Sequence, residues 1–239
     1  MSWKCALLYA SEREPGYLGT LPDHAPEKAL DLKIALGLEE LRPEGMECFE
    51  SAIWPEPGKL FIGAYDRTYL ISDWDIAETC MATSLPTVFK NIRTLLPNAW
   101  GLCLMLHGTD NYWGYAFYEN GELTRLRAGS HSTGLTHEFG QPLPEELPLL
   151  AKSKLVGDKR MYSWDNDPEL LTDDQVGEEF VFQLGKRVFG EVICEGEHWF
   201  DLRVEQFKKP RTLAKAISAL GDSAAGKKSG FWARLFGRG

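Results

Sequence analysis

At 239 residues, 44% hydrophobic and 26% charged, the chain has the composition of a globular protein big enough to bury a core without disulfide staples, as one large domain or two small ones. No window approaches the run of about 18 apolar residues that a membrane-spanning helix needs, so no transmembrane segment is expected. The net charge of −9 is uneven: residues 1–210 carry 20 basic and 34 acidic groups, net −14, and the stretch from Arg211 carries six basic groups and Asp222, net +5, so the acidic body repels nucleic acid and suits a basic partner or a solvated surface.

In chain order, Cys5–Ala10 is an unbroken apolar run that predicts a buried strand, and Glu14-Pro15-Gly16 turns it. Pro26–Leu36 predicts a helix with Leu30 and Ile34 on its apolar face and Gly37 as its left-handed cap. Pro43, Gly45, Pro55, Pro57 and Gly58 crowd residues 42–59 with turn formers around one short strand, Cys48–Trp54. Leu60–Ala64 and Tyr69–Ser72 read as a hairpin turning at Asp66-Arg67. Leu85, Val88, Phe89, Ile92, Leu95 and Leu96 form one apolar stripe at helical spacing, with Ser84 as cap, Pro86 in the first turn and Pro97 as the stop.

Leu102–Leu106 predicts a central strand. Tyr112–Tyr118 and Leu123–Ala128 predict a hairpin through Asn120-Gly121, where both residues accept positive φ. Thr172-Asp173-Asp174-Gln175 has capping-box spacing ahead of a helix, Asp173–Phe189, in which Val176, Phe180, Leu184 and Val188 recur every four residues. Glu191–Glu195 and Trp199–Phe207 read as closing strands, Thr212–Leu220 as a short helix and Gly221–Gly230 as linker. Strands outnumber helices, and hairpins join several of them. The expected fold is α+β: a largely antiparallel sheet with two or three packed helices as a single acidic domain over 1–210, then a short helix, a flexible linker and a basic–aromatic helical tail over 211–239.

The strings "KCALLYA", "FIGAYDRTYLISD", "LCLMLHGTDNYWGYAFYENGELTRL", "FGQPLPEELPLLA" and "TDDQVGEEFVFQLGKRVFG" follow one another in this order. The chain resembles a family of uncharacterised bacterial proteins described only as a domain of unknown function. The resemblance runs over about residues 3–20 and 60–190. It rests on a strand ending at His107, the aromatic strand Tyr112–Tyr118, the hairpin Glu119–Leu123 and the segment Gly140–Glu145. It implies a shared fold and no activity, and is silent on Gly129–His137 and on everything after Lys208.

Candidate chemistry is sparse. His131 and His137, with Glu138 adjacent, share a strand face and could converge on a metal, but Gly134 between them marks a turn and no third ligand is fixed by spacing, so a polar hairpin is expected and no metal. Asp165, Asp167 and Glu169 start like a calcium loop, which fails where Leu170 and Val176 stand for the required Gly and Glu. His107 with Asp110, or Cys103 with His107, could supply a base or a nucleophile at a strand end; a structural histidine is expected. No G-x-S-x-G, Walker A or G-x-G-x-x-G motif occurs, and no cofactor is implied. Trp113, Tyr115 and Phe117 alternate with smaller residues, as a sheet core does or an aromatic groove.

Five scattered cysteines without C-x-x-C spacing suit a reduced cytoplasmic setting, and the six-residue apolar run at Cys5 is too short for a signal peptide. In the tail, Phe231, Trp232, Leu235 and Phe236 gather on one side of a helical turn, with Arg234 elsewhere. So short an amphipathic segment folds only against something: its own body, a protein partner or an anionic membrane surface. The expected function is a non-enzymatic cytoplasmic interaction protein, of a kind that includes immunity proteins, with the tail as its partner-binding element. The alternative is a small hydrolase or metal-dependent enzyme using His107 and Asp110, or His131 and His137.

Overall fold

The computed structural model describes residues 3–108, 111–164 and 169–209. Its strands are β1 (Cys5–Ser11), β2 (Arg42–Cys48), β3 (Lys59–Tyr65), β4 (Thr68–Ser72), β5 (Trp100–His107), β6 (Tyr112–Glu119), β7 (Glu122–Ser130), β8 (Gly134–Gly140), β9 (Ser153–Val156), β10 (Lys159–Ser163), β11 (Leu170–Thr172) and β12 (Arg203–Lys208). Its α-helices are α1 (Pro26–Ala35), α2 (Phe49–Ala52), α3 (Trp74–Cys80), α4 (Thr87–Leu95), α5 (Leu147–Ala151) and α6 (Asp173–Phe189). Among the described residues, no helix is long and apolar enough to cross a membrane.

Nine strands pair antiparallel in the order β2-β12-β3-β4-β1-β5-β6-β7-β8, and β11-β10-β9 form a small second sheet. The α+β expectation holds. The large sheet is covered on both faces. Leu7 and Tyr9 of β1 face a core shared with α2, α5, α6 and the small sheet, and Ala6, Leu8 and Ala10 face the core of α1, α3 and α4. Burial on both sides removes the need for polar alternation, which is why β1 and β5 are continuous apolar runs. Three helices are long, with 10, 9 and 17 residues in α1, α4 and α6, and the others are one or two turns.

The turn and cap signals hold. Arg67 has φ +52 in the β3–β4 turn, and Asn120 and Gly121 have φ +53 and +82 between β6 and β7. Gly190 ends α6 at φ +79, with its N–H on the Lys186 carbonyl. Several expectations are corrected. Residues 48–54 are not a strand. The chain forms β2 first and then α2, whose Phe49 and Ala52 lie one turn apart in the core. Pro43 and Gly45 are tolerated in β2 because it is an edge strand, bulged where β12 pairs with it. Helix α3 was hidden by its polar start, although Asp73 caps it by accepting the Ile76 N–H at 2.9 Å. Pro86, not Ser84, stands at the N-cap of α4.

In α1 the expected face is the wrong one. Leu30 and Ile34 are 39% and 54% exposed, and Ala29 and Leu32 are buried, because a small residue lets the helix approach the sheet closely. Lys33 completes that face by donating to the carbonyls of Glu39 and Leu41 at 3.3 and 3.1 Å. Glu191–Glu195 is an irregular loop rather than a strand, with Val192 and Ile193 turned into the core, and a 3-10 turn, His198–Asp201, precedes β12. The short helix, linker and tail expected over 211–239 lie outside the described residues.

Phe89 and Ile92 of α4 have no solvent exposure. Phe89→Ala and Ile92→Ala are each expected to destabilise the protein by about 2–5 kcal/mol. Leu30→Ala and Ile34→Ala should stay within about 0.5 kcal/mol. Urea unfolding midpoints check this, and similar shifts at all four positions would contradict the assignment of faces.

Candidate functional site

One concavity opens where β5 ends and β6 begins. Strand pairing sets His107 opposite Tyr112 and Leu106 opposite Trp113, and the first turns of α6 bring Asp174, Gln175 and Glu178 across from them. Together with Trp3, Gly108 and Asn111 they line a cleft of about 250 Å3. No lysine or arginine is among these residues, so the two carboxylates set its charge, while the Tyr112 and Trp113 rings are buried beneath it. At the rim the rings of Trp54, Trp74 and His107 are in mutual contact, with centroids 4.8, 5.4 and 5.1 Å apart, and the Lys4 ammonium lies 5.2 Å from the Trp54 ring.

The floor is held from below. Trp113 is 1% exposed and stacks on Phe180 of α6 at 6.4 Å. Its indole lies directly on the α6 backbone at Gly177, where a Cβ would fall 2.0 Å from Nε1. Behind it the fully buried Arg127 guanidinium sits 4.4 Å from the Phe180 ring and 5.6 Å from that of Trp113. Arg127 Nη2 donates to the Tyr162 hydroxyl at 2.8 Å and to Asp173, and Tyr162 donates to Asp173 Oδ1 at 2.7 Å. The first residue of α6 is thereby tied to both sheets. Thr172 N–H donates to Gln175 Oε1 at 2.8 Å and Thr172 Oγ1 donates to Asp174 Oδ1 at 2.7 Å, which orients two of the three α6 side chains that line the cleft.

A second polar cluster is structural. Arg125, 1% exposed, makes two bonds to the fully buried Glu146, at 3.0 and 2.7 Å, and donates to the carbonyls of Phe139 and Gly140. Glu146 Oε1 also accepts the Leu143 N–H at 2.8 Å. These bonds fasten the segment after β8 on to β7. Glu145 points elsewhere, to Arg187 at 3.0 Å.

A family model described as a family of unknown function, DUF6928, matches residues 5–188, which takes in β1 through all but the last residue of α6. The chain belongs to DUF6928. No curated protein and no solved structure matches it. The resemblance drawn from the sequence, to a domain of unknown function, therefore holds. In this DUF6928 chain the cleft is built from matched elements, apart from Trp3, and the Gly140–Glu145 string belongs to the Arg125–Glu146 fastening rather than to the cleft.

Of the residues singled out in the sequence, His107 lies in the cleft and Asp110 lies outside the described residues. His131 Nδ1 contacts Asp174 Oδ2 at 3.0 Å from an exposed position in the β7–β8 turn, whereas His137 contacts Thr136 Oγ1 at 3.1 Å, so the two do not share a partner. Among the described residues, no three His, Cys, Asp or Glu side chains group as a metal site would. Asp165 and Asp167 are outside the described residues, and Leu170 begins strand β11 rather than continuing a calcium loop. Cys103 is fully buried on the opposite face of the sheet from Trp113, and burial pushes its thiol well above the usual range, which removes it as a nucleophile. All five cysteines are free thiols. Trp113, Tyr115 and Phe117 are core residues.

The tail residues Phe231, Trp232, Arg234, Leu235 and Phe236 lie outside the described residues. Asp174, Gln175, Glu178 and Trp3 were missed by the sequence reading. The capping box had placed the first two at a helix start, but nothing in sequence joins that start to the end of β5.

Two outcomes follow from this geometry. In a helix interior Gly→Ala is stabilising by about 1 kcal/mol on propensity alone. Gly177→Ala is expected to reverse that sign and to destabilise by about 1–3 kcal/mol, since Trp113 or α6 must shift. Unfolding midpoints and the near-ultraviolet circular dichroism of Trp113 read it, and a stabilised variant with an unchanged spectrum would contradict the contact. Arg125→Met alone should cost about 3–5 kcal/mol by leaving Glu146 buried and unpaired, and Arg125→Met with Glu146→Leu should be less destabilised than the sum of the two single variants.

Proposed function

We propose that this chain is a non-enzymatic, cytoplasmic protein-interaction protein. A single acidic domain over 1–210 offers the aromatic, carboxylate-lined cleft to a basic segment of a protein partner. The stretch 211–239, with Phe231, Trp232, Arg234, Leu235 and Phe236, supplies a second contact to a protein or to an anionic membrane surface. The observation that carries this reading is the composition of the cleft: Asp174 and Glu178 beside the ring of Trp3, with no lysine or arginine in the lining. Carboxylates and ring faces are the two groups that attract a guanidinium or an ammonium, the one by charge and hydrogen bonding and the other through the ring quadrupole. The net charge of −14 over 1–210 adds a long-range attraction for the same class of partner, such as a basic toxin held by an acidic immunity protein.

The test is fluorescence anisotropy of labelled peptides. A peptide of alternating basic and aromatic residues is titrated with the wild-type chain and with the Trp232→Ala/Phe236→Ala variant, and an acidic peptide of equal length is the control. The basic peptide is expected to bind at least one of the two chains. Glu178→Gln should weaken it more at low salt than at high, because exposed charges are screened over about 8 Å at physiological ionic strength. Equal binding of the acidic peptide, or no binding by either chain, would remove the reading.

A further inference from the structure

The small sheet ends in a hairpin whose charge is opposite to that of the rest of the body. Strands β9 and β10 are joined by the two-residue turn Gly157-Asp158, with Gly157 at φ +66, and pair Val156 with Lys159, Leu155 with Arg160, Lys154 with Met161 and Ser153 with Tyr162. Residues 153–160 hold Lys154, Lys159 and Arg160 against Asp158, net +2, within a stretch, 1–210, of net −14. We propose that this hairpin tip contacts a membrane: Leu155 and Val156 enter the headgroup region of an anionic bilayer, and the three basic side chains meet its phosphates and carboxylates. The tip shares no residue with the cleft, and the inference does not rest on the cleft's role.

Exposure is the first argument. Cross-strand partners share a face of the ribbon, as do residues two apart, so Leu155 and Tyr162 lie on the same face. Tyr162 is 1% exposed in the core, whereas Leu155 is 68% exposed, more than any other large apolar side chain among the described residues. The hairpin therefore runs off the edge of the core and carries its tip past it. Val156, the next residue, points to the opposite face and is 50% exposed. One flat protein surface cannot cover apolar groups on both faces of a two-stranded tip. A fluid layer that closes round the tip covers both, so the geometry favours a bilayer over a protein.

Charge placement is the second argument. Each apolar side chain has a basic one directly across the ribbon: Lys159 beside Val156, with Lys154 on the same face, and Arg160 beside Leu155. Arg160 Nη1 donates to Ser153 Oγ at 2.9 Å, which holds the guanidinium against the hairpin. Such side chains lay their apolar stems along lipid while the charge stays among the headgroups. Close to an anionic surface each basic residue is worth about fivefold in binding. The acids of the body do not cancel this, because exposed charges act over about 8 Å at physiological ionic strength and the tip stands clear of the core. Edge lysines that served only to deter strand addition would not have Leu155 and Val156 exposed beside them.

Vesicle co-sedimentation of the full chain tests this, with Trp232→Ala/Phe236→Ala as the parent so that the apolar residues of the 211–239 stretch do not contribute. The parent is expected to sediment with vesicles of phosphatidylcholine and phosphatidylserine and not with phosphatidylcholine alone. Adding Lys154→Gln/Lys159→Gln should weaken binding by about 25-fold at low salt. Adding Leu155→Gln/Val156→Gln should weaken it at least about tenfold at low and high salt alike. All four side chains are exposed or lie at the tip, and unfolding midpoints equal to the parent's establish that the variants are folded. Equal binding by parent and variants, or equal sedimentation with both kinds of vesicle or with neither, would overturn the inference. A doubled mass that Leu155→Gln/Val156→Gln returns to that of one chain would overturn it in favour of a contact between two copies. Binding of soluble polyglutamate without binding of vesicles would overturn it in favour of an acidic protein.

Discussion

Everything near the cleft depends on one fully buried cation. The Arg127 guanidinium joins β7 to Tyr162 of β10 and to Asp173 at the start of α6, and its flat face lies against Phe180. A charge without solvent exposure is tolerable only with partners in place, and losing one of them leaves an uncompensated charge whose cost is about 3–5 kcal/mol. The first turn of α6 is therefore not free to fray. With Asp173 fixed, helical geometry decides the positions of Asp174, Gln175 and Glu178, and the cleft follows from the bond made one residue earlier.

The same bond explains why α6 keeps Gly177 despite its low helix propensity. Arg127 and Phe180 set the distance between helix and sheet, and Trp113 fills the gap so closely that no Cβ fits at 177. The glycine exchanges about 1 kcal/mol of propensity for a contact between indole and backbone. The Arg125–Glu146 pair works in parallel on the far part of β7, holding the segment after β8. Two arginines two residues apart on one strand face thus clamp different neighbours to the same sheet. In the sequence they look like ordinary surface charges of a half-exposed strand, because alternation with Leu126 and Ala128 is the pattern of a strand with one wet face.

That ambiguity shows what the sequence could and could not reveal. Local signals were legible. Asn120-Gly121, the Thr172 capping box, the Gly190 cap and the stripe centred on Phe89 and Ile92 each depend on residues within a few positions of one another. The failures were long-range. Which face of α1 is buried is decided by its distance from the sheet, which Ala29 permits. The edge strand β2 exists because β12, from the far end of the described chain, pairs with it. His107 was legible as a strand end, but its companions Asp174 and Glu178 come from a helix start that no spacing rule connects to it, and the burial of Arg127 that joins them is invisible to composition.

The limits of the family match sharpen this point. It ends at residue 188, so β12 lies beyond it, yet β12 sits inside the sheet between β2 and β3, and β2 has β12 as its pairing partner. The matched stretch supplies β3-β4-β1-β5-β6-β7-β8 as one continuous run of pairings, together with α6 and hence nearly the whole cleft. The remainder adds one strand that completes an edge and ends at Lys209 against Asp73 and Asp75. Its physical effect is to carry the chain from the end of α6 across the sheet to β12, with three strands between it and β5 at the cleft. Within this chain, then, the matched stretch builds the cleft, apart from Trp3, while the remainder fills the sheet beside its other edge and is locked there by a buried ammonium between two carboxylates of α3 and its cap.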